Sequence, residues 1–173
     1  NLRIITHTAN NLFNNVDVDY LLMELSKLPR NSQKLYFLQY WLPDHEDIPE
    51  IGKAVLEAIK LIVADSDTEI PKAKILTKIC RTMKKMSLDE MKKAMIFIDS
   101  MGSSIKYPTY DYVDAELTII EAIKNYLPEK AKSHLEELYL YIDELEDASI
   151  RLTCLSKLLG KFELLGKKSE IEK

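Results

Sequence analysis

Four times in this chain a charged residue opens an eight-residue stretch whose fourth, fifth and eighth positions are apolar. The copies are KLYFLQYW at 34–41, KAKILTKI at 72–79, ELTIIEAI at 116–123 and RLTCLSKL at 151–158. That spacing lines one face of a helix. NLRIITHT at 1–8 is a weaker fifth copy, with Thr8 in the last apolar place. A second pattern precedes each full copy: LLMELS at 21–26, AIKLIV at 58–63, AMIFID at 94–99 and LYLYID at 138–143. The start-to-start separations between the two patterns are 13, 14, 22 and 13 residues. Two unrelated patterns that keep one order and, in three units, one separation define an internal repeat. A repeat constrains the fold more than any composition does.

Each unit is expected to be an αα-hairpin, helix A followed by helix B. The turns carry fitting residues: PRNS at 29–32, DSDTEIP at 65–71 and DELEDAS at 143–149. Pro71 suits the first turn of its helix B, where a missing N–H costs nothing. Pro43 and Pro128 are expected just beyond helices B, as stop signals. SLDE at 87–90 reads as a capping box, with Ser87 as N-cap and Glu90 reaching back. Both helices of a unit are apolar over much of their circumference, so a lone hairpin leaves apolar surface in water. Stacking covers it, which predicts an all-α fold: a right-handed α-solenoid of about four and a half hairpins over residues 1–166. The remaining 167–173 reads as a charged tail.

With its helix-ending prolines, an αα unit of 35–38 residues resembles the tetratricopeptide-like superfamily of helical repeats. The likeness is architectural and spans nearly the whole chain. Ala58 and Ala94 match the family's small helix A positions, but Leu21 and Leu138 stand there in units one and four. The Trp-Leu-Gly-Tyr signature is missing from helix A, and the one tryptophan, Trp41, falls in a helix B. HEAT-like packing is the alternative. What the resemblance implies is a scaffold that binds protein or peptide partners without catalysis.

Little in the chain points to chemistry. His7, His45 and His134 lack partners at metal-ligand spacing, and there is no HxxxH, CxxC or HExxH. No metal or cofactor is therefore expected. His134 in AKSHLEEL and His45 in PDHEDIPE both read as solvated. Four dispersed glycines build no phosphate loop, and no GxSxG occurs. Adjacent carboxylates such as Glu136 and Glu137 diverge by about 100 degrees on a helix, so they form no ready acid–base pair. Cys80 and Cys154 sit inside helical apolar patterns and read as buried small hydrophobes. No stretch has the roughly 18 apolar residues of a membrane span, and the start lacks a signal-peptide pattern. A cytoplasmic setting is expected.

Charge is distributed unevenly. The net charge is −4, which excludes a global basic field. Residues 72–93 nevertheless carry eight Lys or Arg against two acids, and residues 109–147 carry eleven acids against three lysines. Lys78, Arg81, Lys84, Lys85, Lys92 and Lys93 form a candidate basic patch, which supports an alternative reading as a nucleic-acid-associated repeat protein. Against that reading, 72–93 holds no aromatic residue to stack on bases.

The third unit departs from the spacing by about eight residues, within SMGSSIKYPTYDYVDA at 100–115. Insertions in repeats map to one face, often a binding face. Lys106, Tyr107, Tyr110, Asp111 and Tyr112 are therefore the first candidates for partner contact, tyrosine offering large area with modest rotamer loss. The competing reading is that YDYVDAEL extends helix B backward and packs Tyr112 into the core.

Overall fold

A computed structural model describes residues 17–64, 71–102, 106 and 109–164, and among these every regular element is helical. The helices are α1 (Val18–Ser26), α2 (Asn31–Asp44), α3 (Ile51–Ala64), α4 (Lys72–Cys80), α5 (Leu88–Met101), α6 (Thr109–Ile123), α7 (Pro128–Asp143) and α8 (Ala148–Leu164). A 3-10 turn, Arg81–Lys85, continues α4. The eight repeated segments fall one to a helix, in the expected alternation. The copy at 1–8, the turn residues 65–70 and the tail at 167–173 lie outside the described residues.

Local chemistry sets the ends. Asp17 caps α1 by accepting from the backbone N–H of Asp19 at 2.9 Å. Ser87 and Glu90 form the expected capping box at the start of α5. Asp147 caps α8, accepting from Ser149 and Ile150 N–H at 2.8 and 3.0 Å. Gly102 ends α5 at φ +49°, where a side chain would strain the backbone.

Two proline expectations need correcting. Pro71 is the N-cap of α4 rather than a residue of its first turn. Pro43 lies inside the last turn of α2 instead of beyond it. So late in a helix a missing N–H removes only one ladder bond. His45 then terminates the helix, its backbone N–H donating to Leu42 O at 3.3 Å and its Nδ1 to Trp41 O at 2.8 Å. The His45 ring stacks on Trp41 at 4.6 Å between centroids, so this histidine is half-buried rather than freely solvated.

The helices pack two apart in sequence. α2 lies against α4, α4 against α6, and α6 against α8; α1 lies against α3, and α3 against α5. Contacts of α2 with α3, α3 with α4, α6 with α7 and α7 with α8 join the two rows. Leu35, Leu38, Ile59, Ile62, Leu76, Ile79, Ile119 and Ile120 are fully or almost fully buried, so the core is aliphatic and runs between the rows. Cys80 and Cys154 are buried free thiols. No helix among the described residues is long and apolar enough to cross a membrane.

Candidate functional site

Much of the extra length of unit three is helix. α6 begins at Thr109, seven residues ahead of Glu116, whereas α4 begins with its repeated pattern. YDYVDAEL thus extends helix B backward by about two turns. This divides the candidate residues. Tyr112 is 6 % exposed and meets the Tyr141 ring edge-on at 4.9 Å, so the structure places it in the core rather than on the surface. Burial, with the nearby Glu116 charge, pushes its phenol above the ordinary range. Tyr110 stays exposed, with Lys157 Nζ 5.6 Å from its ring centroid. Lys106 is exposed, its ammonium 5.5 Å from the Tyr141 ring, and its carbonyl accepts from the Tyr141 hydroxyl at 3.2 Å. Asp111 is half-buried. Tyr107 lies outside the described residues.

Beneath this segment is a polar cluster that sequence spacing does not reveal. His134 is buried, not solvated as its sequence context suggests. Its Nδ1 lies 2.8 Å from Glu116 Oε2, and its Nε2 lies 3.2 Å from Asp99 Oδ1. Both acceptors are carboxylates, so only a doubly protonated ring donates to both. Burial by itself would lower the imidazole pKa. The Glu116 hydrogen bond and charge, with Asp99 behind them, outweigh burial and the opposing Lys130, and leave it raised. Lys130 bonds Asp99 Oδ2 at 2.6 Å. One cation–carboxylate cluster therefore ties α5, α6 and α7 together, at a cavity of about 380 Å³ that Lys106, Tyr112 and Glu137 also line. Residues 18 and 35 positions away in sequence supply the two partners, so no local motif announces them. The only hint was that Glu116 stood on the buried side of the α6 pattern.

The basic stretch also changes on folding. Lys84 pairs with Glu46 at 3.3 Å and Lys85 with Asp47 at 2.8 Å, across from the loop after α2. Lys92 and Lys93 are exposed on α5, a separate helix. Lys78 extends over the Tyr40 ring, 4.3 Å from its centroid, and bonds Gln39 Oε1 at 3.3 Å. Arg81 is exposed and lines a second cavity, of about 670 Å³, with Thr118, Asn125 and Tyr126. Of the six candidate cations, two are thus held in ion pairs and Lys78 is engaged by α2. The missing aromatic neighbours are present, contributed by α2 instead of by residues 72–93.

Among the described residues no group of His, Cys, Asp and Glu is arranged to hold a metal ion. The chain matches no family model, no curated protein and no solved structure.

Proposed function

We propose that this chain is a helical-repeat interaction module: tetratricopeptide-like αα-hairpins stacked as a right-handed α-solenoid, holding a protein or peptide partner and performing no catalysis. The two-apart packing of α2, α4, α6 and α8, and of α1, α3 and α5, supports the stack, since consecutive hairpins in register generate it. The observation that carries the binding reading is where tyrosine is placed. Tyr20, Tyr36, Tyr40, Tyr110, Tyr126 and Tyr139 are all exposed large side chains, while the core is mostly Leu, Ile, Val, Met and Ala, with Phe37, Trp41 and Tyr112 the aromatic residues buried in it. Tyrosines of this kind supply contact area and a polar tip at low entropic cost, the chemistry of an interface. The ion pairs of Lys84 and Lys85 weaken the nucleic-acid alternative.

The test is affinity capture with cross-linking on the intact chain, compared with a Lys106→Ala/Tyr110→Ala variant. A partner lost from the variant at unchanged thermal stability supports the reading and places the contact at unit three. Failure of the intact chain to retain any protein overturns it.

A further inference from the structure

We infer that the shared face of α2 and α4 docks an extended acidic peptide segment carrying an apolar or aromatic residue. This rests on the interaction-module reading above and names the partner chemistry of one of its surfaces.

α2 presents Tyr36 and Tyr40 one turn apart, 45 % and 49 % exposed, with ring centroids 5.2 Å apart in an edge-on arrangement. α4 packs beside it and sends Lys78 across the Tyr40 ring. Lys74 lies one turn before Lys78 and Arg81 one turn after, so the three share one helix face. Lys74 and Arg81 are exposed, and no carboxylate among the described residues pairs with any of the three. This distinguishes them from Lys84 and Lys85, whose charges Glu46 and Asp47 already answer. On the same face of α2, one turn before Tyr36, the side-chain oxygen of Gln33 is buried without a hydrogen-bond partner. The tract therefore offers two exposed rings and three cations that no carboxylate answers.

Magnitude selects the occupant. A nucleic acid draws its affinity from many phosphate contacts, each contributing a salt slope of about 0.7 for a single strand. Three cations supply a slope of only about 2. A continuous polyanion needs more cations than this; a peptide with a few spaced carboxylates matches three. Charge-assisted bonds from Lys74, Lys78 and Arg81 to such carboxylates, with a ring or methyl group set against Tyr36, need no further cation.

The experiment measures fluorescence anisotropy of the intact chain with three labelled probes. These are a peptide of alternating Glu-Glu and Phe, the same peptide with Lys for Glu, and an oligouridylate. The expected result is saturable binding of the acidic peptide that weakens as salt rises, with no binding of the basic one. A Lys74→Glu/Lys78→Glu/Arg81→Glu variant is expected to weaken it at least about tenfold. Tyr36→Ala/Tyr40→Ala is expected to weaken it about fivefold, with melting curves of both variants close to the parent's. Absence of acidic-peptide binding overturns the assignment, as does tighter binding of oligouridylate through the same side chains. If the affinity-capture partner is retained by the charge-reversed variant, this surface is not the dock while the module reading stands. If the intact chain captures no partner at all, the module reading itself fails.

Discussion

Replacing His134 with alanine removes the cation that hydrogen-bonds the buried Glu116 carboxylate. Glu116 is 5 % exposed, and its bond to His134 is 2.8 Å long, so the loss strands a desolvated charge. Breaking a buried pair from one side costs about 3–5 kcal/mol. The second bond, to Asp99, adds little, because that side chain is 40 % exposed and already held by Lys130. A loss of about 3 kcal/mol near pH 6 is expected, or a fall in melting temperature of roughly 6–12 °C for a chain of this size.

The pH dependence has a definite sign. The imidazole pKa is raised above its ordinary 6.5 in the folded state, so the folded state holds the proton more tightly. The stabilisation is therefore fully present below about pH 6.5 and is lost as pH rises through the folded value. The groups facing the ring are Asp99 from α5, Glu116 from α6 and Lys130 on α7, with Lys106, Tyr112 and Glu137 around the cavity. Urea unfolding followed by far-ultraviolet circular dichroism, from about pH 5.5 to 9.5, compares the parent with His134→Ala. The gap between them is expected to narrow as pH rises. An NMR titration of the ring reads its pKa directly. A loss under about 1 kcal/mol near pH 6, or a gap that widens with pH, refutes the assignment of a charged clamp.

Other outcomes follow from local geometry. Ser87→Ala removes half of the capping box and is expected to cost about 1 kcal/mol, read as a lower urea midpoint at unchanged slope. Gly52→Ala places a methyl group against the Glu90 carboxylate and 3.2 Å from Met86 Cα, so it is expected to destabilise by about 1–3 kcal/mol in the same assay. Tyr112→Ala opens a cavity beside Tyr141 and is expected to cost about 3 kcal/mol or more, whereas Tyr110→Ala, at the surface, leaves the melt within about half a kcal/mol. Cys80 is fully buried, and burial together with Glu116 raises its thiol pKa, so pulse alkylation is expected to label it only when denaturant unfolds the chain.

The helices were legible in the sequence because their signals are local. Apolar residues three and four apart, the Ser87–Glu90 box and the alternation of two patterns report on neighbours within a turn, and each repeated segment lies on its own helix. The backward extension of α6 was legible only as a choice between loop and helix. Burial of Tyr112 decided it, since that ring finds its partner on α7. Pro43 misled because a stop signal fixes a helix end only to within a turn, and His45 set the final position by bonding back to Trp41.

The charged and polar sites were hidden for a different reason. Lysines 78, 84 and 85 look alike along the chain. Folding brings Glu46 and Asp47 to two of them and Tyr40 to the third. His134 read as a surface residue because its helix neighbours are charged, yet its partners come from α5 and α6. Periodicity, a property of the backbone's 3.6-residue turn, was thus determined by the sequence alone. Which cations remain unanswered, and which histidine carries a buried charge, depends on helices far apart in the chain, and only their packing decided it.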